Sequence, residues 1–516
     1  MDILLKNSKN GSLTCSKDNI SLHSNFDPEK EAERFVSLIE SSYLPSFVVI
    51  TGPCLGYTAR YLKERFPNAK TIAIQYSLDF ESYSDKWDYS FSFTSESDLN
   101  SINDRIFSII GEEKLFSTLF LSWKPSEKAW SDSASSLWKS FKDLLAKAES
   151  VISTRNFFNR RWFLNSVRFY SSIKKICIPS KTNKPIVVTA SGPSLKNSMP
   201  FLKENRESFI LMAASSSVLP LLENGLTPDF CISTDGGWWA KKHLEPLIRL
   251  YNRDGTTIPL IIPPECAIPT ELFTTMPIVP LSYSDFPDAD FFRTSDIPFV
   301  RGERNGTVSG TAAVLSLNMT TSNVFFCGLD LAASKSSFQH TQPNALEPLN
   351  SFTDSRIKPT ETRITASAFS SSTSLGIYRN WFSSRNKDFY SRVFRIVTKK
   401  DNLEQISNLK DIYIDSEIPE CFSSSSKDST NKQVCKISDS DTIRTQKRIT
   451  QFLENIKTEI ETKPQNPYNI NWYKIAALKE VVLSERAGDK SVPEEIKEKT
   501  IELLDAAITL VNRIDK

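Results

Sequence analysis

The sequence lacks a strong excess of charge of either sign. Its 516 residues contain 63 lysines and arginines against 61 aspartates and glutamates, a formal net charge of +2. Proteins that bind nucleic acids or anionic membranes usually carry a broad positive excess, because many cations together attract a polyanion. The balance predicts no nucleic-acid partner and no membrane partner, so any anion must be bound locally.

Long apolar runs and paired cysteine motifs are also missing from the sequence. No run approaches the roughly 20 apolar residues that a membrane helix needs, and residues 1–7 lack the basic start of a secretion signal. The eight cysteines are scattered without a C-x-x-C pair, which predicts neither a zinc site nor a disulfide framework. These absences predict a cytoplasmic protein in a reducing compartment.

The most informative stretch is an apolar run that breaks into Ser191-Gly192-Pro193-Ser194 ahead of a helical segment. In a parallel sheet, this order places backbone N–H groups and small hydroxyls at the carboxyl end of a buried strand, where phosphate is readily held. A plain strand-to-helix turn uses the same residue types. The motif alone therefore leaves a nucleotide pocket and a simple turn both open.

The residues after this motif continue the alternation of strand and helix. Further apolar runs end in small or polar residues, at 209–213, 229–234, 259–262, 277–279 and 323–327, and a helix is predicted over 306–319. The carboxyl ends of parallel strands face one crevice, so we expect these tips to converge there. Convergence favours a binding site over a series of unrelated turns.

An earlier segment has the same order on a smaller scale. An apolar run at 46–51 is followed by a turn from Gly52 to Gly56, a helical segment and a short strand, which is the opening of a Rossmann-like domain. A cofactor site of that kind normally has a carboxylate at the tip of the second strand, and Gln75 stands there instead. We therefore favour a scaffold domain over an active cofactor site.

These patterns predict an α/β protein with three parts. Residues 1–150 form the N-terminal Rossmann-like domain, residues 151–390 a central doubly wound α/β domain, and residues 391–516 a mainly helical region. In the last part, 443–462 and 494–514 show helical spacing with charged outer faces, typical of a helical cap or an oligomerisation element.

The middle region resembles the MptE-like family, and the chain as a whole resembles the motility-associated factor (Maf) glycosyltransferases of flagellated bacteria. The residues that match are Ser191-Gly-Pro-Ser-Leu195, Leu226-Thr-Pro-Asp-Phe230, Thr234-Asp235, Ser309-Gly310, Gly328-Leu-Asp-Leu331 and His340. The resemblance implies a sialyltransferase-like central domain that transfers a nonulosonic acid from a CMP-activated donor to serine or threonine hydroxyls of flagellin. It implies flagellin and a nucleotide sugar as partners, with no obligatory cofactor besides this donor substrate.

Glycosyl transfer requires that the donor phosphate be held and that the acceptor hydroxyl be deprotonated. We assign substrate binding to small and hydroxyl-bearing tip residues, with one carboxylate: Ser191, Gly192, Pro193, Ser194, Ser215, Ser216, Gly236, Ser309, Gly310 and Asp330. Asp235 is a candidate to contact donor hydroxyls or orient a base, or alternatively to cap the helix near Trp238. Asp330 has the same two interpretations.

Only three histidines are present. His340 follows a sheet-end motif on a polar loop, and histidine is the natural general base near neutral pH, so His340 and Asp235 are the catalytic candidates. A solvated surface histidine is the alternative for His340. His243 follows two tryptophans on a helical segment, where packing is favoured over a donor-orienting role, whereas His23 is too near the start to be placed.

The pair Asp288 and Asp290 fits the D-x-D pattern of many metal-using glycosyltransferases. The two lie in a proline-flanked segment into which no strand leads directly, so we interpret them as solvent-facing residues. No obligatory metal is predicted.

Two other functions remain open. A 6-hydroxymethylpterin pyrophosphokinase, the other activity of MptE-like proteins, would need ATP and Mg²⁺ and would lose activity with a chelator. A flagellin-binding assembly factor without catalysis would keep its function when His340 and Ser194 are replaced.

Overall fold

The structure of this protein is a computed structural model. It describes residues 3–95, 98–331, 340–346, 373–401, 403–415, 419–423, 435–489 and 491–514. The chain divides into two compact units, one made of residues 1–159 and 459–502 and the other of residues 160–458 and 503–516. Each unit contains a parallel β-sheet.

The first unit contains a small antiparallel sheet and a four-stranded parallel sheet. The antiparallel sheet consists of β1 (Leu4–Asn7), β2 (Leu13–Lys17) and β3 (Ile20–Ser21). The parallel sheet consists of β4 (Phe47–Thr51), β5 (Lys70–Gln75), β6 (Tyr89–Ser92) and β7 (Thr118–Ser122), in the order β6-β5-β4-β7. Every residue of β4 is buried, as expected for a central strand covered on both faces. The predicted N-terminal Rossmann-like domain is confirmed.

The second unit is built on a larger sheet, with eleven strands among the described residues. They are β8 (Lys175–Pro179), β9 (Ile186–Thr189), β10 (Ile210–Ala214), β11 (Phe230–Ile232), β12 (Leu260–Ile262), β13 (Ile278–Ser282), β14 (Val300–Arg301), β15 (Val324–Cys327), β16 (Val393–Val397), β17 (Lys410–Tyr413) and β18 (Cys435–Asp439). Their order is β17-β16-β15-β9-β10-β11-β12-β13-β8-β18, with β14 paired to β13. Only β18 pairs antiparallel in this sheet, as far as the structure describes it.

The direction of the connections reverses at β9. From β9 the chain adds β10 to β13 on one side, and it returns through β15, β16 and β17 on the other. Thr189, the last residue of β9, lies opposite Ala213 and Cys327, so the carboxyl ends of β9, β10 and β15 are nearly level. Open α/β sheets bind ligands at such a switch point, outside the carboxyl ends of the strands.

The helices cover these sheets. In chain order they are α1 (Pro28–Ser37), α2 (Thr58–Arg65), α3 (Asp98–Ile110), α4 (Glu112–Leu115), α5 (Lys124–Ala129), α6 (Ser131–Ser172), α7 (Leu195–Glu204), α8 (Val218–Glu223), α9 (Lys241–Asp254), α10 (Leu272–Thr275), α11 (Asp288–Ser295), α12 (Val308–Met319), α13 (Thr373–Ser383), α14 (Lys387–Arg392), α15 (Glu420–Ser423), α16 (Thr442–Thr462), α17 (Ile470–Ala487) and α18 (Glu494–Arg513). Short 3-10 turns lie at Leu78–Lys86, Arg206–Ser208, Ser215–Ser217, Trp238–Ala240 and Pro467–Asn469. None of the described helices is both long enough and apolar enough to span a bilayer.

The central sheet continues past residue 390. Strands β16, β17 and β18 pair with it, although they lie in the region predicted to be mainly helical. Arg395 stands in the middle of β16 and is fully buried, where it forms an ion pair with Asp411 of β17 at 2.7 Å. A charged residue inside a strand hides the apolar pattern from which strands are predicted. The domain boundary at residue 390 stays a prediction.

Replacing Arg395 with methionine is expected to destabilise the protein by about 3–5 kcal/mol, because Asp411 would keep a buried charge without its partner. The double variant R395M/D411L removes both charges and should recover most of this loss. The measurement is the free energy of unfolding from urea denaturation. Equal losses in the single and the double variant would contradict this account of the ion pair.

Candidate functional site

The carboxyl ends of β9 and β10 bring two serines and a histidine together. The Oγ of Ser191 lies 3.1 Å from Nδ1 of His340, and the hydroxyl of Ser216 donates to Oγ of Ser191 at 2.9 Å. The backbone N–H of Thr341 donates to the carbonyl of Ser191 at 2.8 Å, and its hydroxyl donates to the carbonyl of Gly192 at 2.5 Å. Three residues from the predicted site therefore form one hydrogen-bonded line.

The turn after β9, residues 191–194, is fixed by Asp330. The carboxylate of Asp330 accepts hydrogen bonds from the backbone N–H of Ser194, at 2.9 Å, and from the Ser194 hydroxyl. A Cβ on Gly192 would lie only 2.5 Å from Cγ of Asp330, so this position requires glycine. Burial raises the pKa of Asp330, while the bonds from Ser194 act in the opposite direction. These contacts make Asp330 a positioning residue for the turn.

The backbone of this turn is largely occupied by the fold itself. The N–H of Gly192 donates to the carbonyl of Gly328 at 2.9 Å, and the N–H of Ser194 is taken by Asp330. These two N–H groups are therefore used by the fold, and phosphate binding at this turn stays a prediction. Side chains rather than backbone are the groups that this crevice offers to a ligand.

Asp235 lies after β11 with its carboxylate exposed. Its Oδ1 accepts a hydrogen bond from the N–H of Gly237 at 2.7 Å, and no side chain caps the following turn Trp238–Ala240, so the helix-cap interpretation does not hold. Gly236 is buried, and a Cβ there would overlap the ring of Trp162, which explains this glycine by packing. The side chains of Trp238 and Trp239 are 52% and 56% exposed beside Asp235.

His243 is the histidine for which sequence analysis weighed packing against a donor-orienting role and favoured packing. It lies in the first turn of α9, which packs against the turn Ser215–Ser217. Its Nδ1 is buried and has no hydrogen-bond partner among the described residues. Burial lowers the pKa of His243 to about 4; the charge of His340 adds to this effect and that of Asp235 opposes it. His243 therefore lies within electrostatic reach of both His340 and Asp235.

Ser309 and Gly310 lie in the first turn of α12, a helix that packs on β9, β10 and β15. Asn305 contacts Gly310, where a Cβ would lie 2.7 Å from Oδ1 of Asn305. The preceding Gly306 faces the ring of Tyr378, whose pKa is raised by burial and by the charge of Asp235. Tyr378 thus lies beside Gly306 and within electrostatic reach of Asp235.

Three side-chain nitrogens in this part of the sheet are buried without a hydrogen-bond partner in the residues that the structure describes: His243 Nδ1, Asn305 Nδ2 and Asn344 Nδ2. Buried polar atoms are normally paired, and an unpaired one calls for an explanation such as a ligand. Sequence analysis named neither Asn305 nor Asn344, and it favoured packing over donor orientation for His243. The sequence offered one signal for the two asparagines, which is their closeness to predicted site residues. Asn344 follows His340 by four positions, and Asn305 precedes Ser309 by four.

The interpretation of the D-x-D pair as solvent-facing is wrong for Asp288. This residue begins α11, is 6% exposed, and accepts hydrogen bonds from the hydroxyls of Tyr170 at 2.6 Å and Ser282 at 2.8 Å. Burial raises its pKa to about 7. The phenyl ring of Phe291 stacks on Tyr170, which draws the first turn of the helix inward. Asp290 forms an ion pair with Arg293, which is largely exposed.

The described residues offer no cluster of metal-ligating side chains. Within the described residues, no group of three or more histidines, cysteines, aspartates or glutamates is arranged to hold a metal ion. The seven cysteines whose side chains are described are buried and free. Independence from metal stays a prediction.

The glycine turn of the first unit is filled by the chain's own side chains. Gln75 accepts from the N–H of Cys54 at 3.0 Å and donates to its carbonyl at 2.9 Å. Nε2 of His23 accepts from the N–H of Leu55 at 3.2 Å, and burial lowers the pKa of His23 to about 3. Because these contacts use the groups that would hold a phosphate, they support the scaffold interpretation of this domain.

Residues 160–336 match the family model described as 6-hydroxymethylpterin diphosphokinase MptE-like. The central part of the chain is therefore similar to MptE-like domains. The whole chain also has the fold of the Maf glycosyltransferase from Magnetospirillum magneticum AMB-1, with a TM-score of 0.53 and 12% identity over 100% of this chain and 92% of that one. The predicted resemblance and the predicted α/β fold are thereby confirmed.

A relative with closer sequence is an uncharacterized protein of Treponema pallidum (strain Nichols). It is 30% identical over 302 residues, which are 58% of this chain and 64% of that protein. The chain therefore spans slightly less than two thirds of the length of this relative.

Replacing Asp288 with asparagine is expected to raise the free energy of unfolding at pH 8 by up to about 4 kcal/mol. The pKa of Asp288 is raised in the folded protein, so its contribution to stability is fully present below the unfolded pKa and is lost as the pH rises towards 7. An amide reproduces the neutral carboxyl and removes this loss. Thermal and urea denaturation at pH 4 and pH 8 measure the difference, with D290N as the matched control. A D288N variant with the pH dependence of the wild type would refute the assignment.

Proposed function

We propose that this protein is a glycosyltransferase that transfers a nonulosonic acid from a CMP-activated donor to serine or threonine hydroxyls of flagellin in the cytoplasm. The observation that carries the proposal is the line from Ser216 through Ser191 to His340 at the switch point of the MptE-like domain. The fold shared with a Maf glycosyltransferase supports the class of reaction. Flagellin and the donor sugar follow from the family resemblance.

In this proposal, His340 is the general base that takes the proton of the acceptor hydroxyl. A serine oxygen has two lone pairs, so Ser191 can accept hydrogen bonds both from Ser216 and from Nδ1–H of His340. In that tautomer, Nε2 carries the lone pair that a base requires. The two serines hold the ring in one orientation and add no charge that would suppress its basicity.

The donor is held by side-chain hydroxyls and by the start of α12. Ser191 and Ser216 face His340, and the first-turn N–H groups at Ser309 and Gly310 have no acceptor within their own helix. A helix N-terminus stabilises negative charge, which develops on the CMP phosphate as the glycosidic bond breaks. Asp235, exposed at the tip of β11, is suited to accept hydrogen bonds from sugar hydroxyls.

A second candidate function is the diphosphokinase activity that gives the matching family model its description. That reaction transfers a diphosphoryl group from ATP and requires Mg²⁺ to neutralise the phosphates. The two candidates differ in a simple test, because a CMP-sugar transferase of the proposed kind keeps its activity in EDTA. Diphosphoryl transfer from ATP to a 6-hydroxymethylpterin that disappears with EDTA and returns with Mg²⁺ would favour the kinase.

Replacing His340 with asparagine is expected to lower kcat for transfer to a flagellin peptide by about 10²–10⁴-fold, with a smaller change in the KM of the donor. Asparagine keeps a polar group near Nδ1 and cannot act as the base. The measurement is mass spectrometry of the peptide during incubation with a CMP-activated nonulosonic acid. R253Q is the control, since Arg253 lies at the exposed end of α9 and pairs with Asp254.

The test in cells is the glycan mass on flagellin from strains with and without the protein. Loss of a nonulosonic-acid mass from serine or threonine peptides is the expected result, and H340N should reproduce it. Unchanged flagellin in the deletion strain would overturn the proposed function. Normal flagellin and motility in H340N alone would instead favour an assembly factor without catalysis.

A further inference from the structure

His243 occupies a position that packing alone does not explain. Its Nδ1 is buried, yet the described part of the chain provides no hydrogen-bond partner for it. A buried nitrogen without a partner has lost its hydrogen bonds to water and gained none in return, which destabilises the fold. A residue whose role was only to fill space would be more stable as phenylalanine or leucine.

The surroundings of His243 place it beside the proposed donor site. Its helix α9 starts five residues after Gly236 and packs on Ser215–Ser217. Ser216 in that turn is the first member of the line that ends at His340. The ionisable groups whose charges reach His243, in the part of the chain that is described, are His340 and Asp235.

We propose that His243 binds the donor, with Nδ1 forming a hydrogen bond to an anionic oxygen of the CMP-activated sugar. The inference rests on the proposed function, because it assigns a ligand contact within the same site. Two groups of the donor supply such an oxygen, the phosphodiester and the carboxylate of the nonulosonic acid. Either contact would satisfy the nitrogen that the fold leaves without a partner.

A hydrogen bond from Nδ1 of His243 to the donor would change the protonation of this histidine. Burial keeps the pKa of His243 near 4, so its ring is neutral at pH 7 in the free protein. An anion beside Nδ1 favours the charged ring and raises this pKa. Donor binding should therefore take up protons, and affinity should rise as the pH falls from about 8 to about 5.5, a range in which the acid groups of the donor do not titrate.

The test compares three variants by calorimetry with CMP, CMP–N-acetylneuraminic acid and free N-acetylneuraminic acid as probes. H243F keeps the ring and the packing but removes both nitrogens. H243N keeps a hydrogen-bond donor near the position of Nδ1 but cannot titrate. R253Q, on the exposed end of the same helix, is the control.

The expected result is roughly 10- to 100-fold weaker binding of CMP–N-acetylneuraminic acid to H243F, with affinity close to the wild type for H243N at pH 8 and no proton uptake by His243 in either variant. A loss that also affects CMP assigns the contact to the phosphate, and a loss confined to the sugar-bearing ligands assigns it to the carboxylate. If H243F does not fold, the inference is tested on H243N by the missing proton uptake, measured in buffers of different ionisation enthalpy.

Two negative results have different meanings. If the wild type binds CMP–N-acetylneuraminic acid and H243F binds it equally well, His243 is a structural residue and this inference is overturned, while the proposed function stands. If the wild type binds none of the probes, the proposed function and the inference fall together.

Discussion

The site depends on the contact between Asp330 and the turn after β9. Asp330 follows β15 and Ser194 follows β9, two strands that are neighbours in the sheet although they are far apart in the sequence. The carboxylate fixes the turn from one side, and the bond from the N–H of Gly192 to the carbonyl of Gly328 fixes it from the other. Ser191 can face His340 only because both segments are held in this register.

Residues of β16 and β17, two strands that sequence analysis did not predict, stabilise the segment that carries Asp330. Arg395 in β16 donates to the carbonyl of Leu329, next to Asp330, at 3.3 Å, and it is itself held by Asp411 of β17. Buried charges of this kind are costly alone and acceptable only as fully paired networks. The segment that carries Asp330 is therefore supported by an ion pair between β16 and β17, the next two strands of the sheet. Both strands lie in a region that was predicted to be mainly helical.

Sequence analysis was accurate for features set by a local residue pattern and failed for features set by residues distant in the chain. The predicted runs 209–213 and 323–327 differ from the observed strands by a residue at most at either end, because continuous apolar segments are a strong signal for strands buried in a parallel sheet. Convergence of Ser191, Ser216 and His340 was predictable from the rule that parallel strands end at one edge. The burial of Asp288 was not, since it depends on Tyr170, 118 positions earlier in the chain. The choice between packing and donor orientation for His243 could not be made from the sequence, because an unpaired buried nitrogen becomes visible only when its neighbours are known.

Glycine turns alone do not mark a binding site in either of the two parallel sheets. Both units place a glycine-containing turn after a buried strand, and in both the backbone of that turn bonds within the fold, through Gln75 in the first unit and through Asp330 in the second. Buried side-chain nitrogens without a partner in the described residues occur in both units, at His23 and Trp87 in the first and at His243, Asn305 and Asn344 in the second. Such groups lower stability, and those of the second unit lie near the point where its strands reverse direction, which agrees with the donor site proposed there.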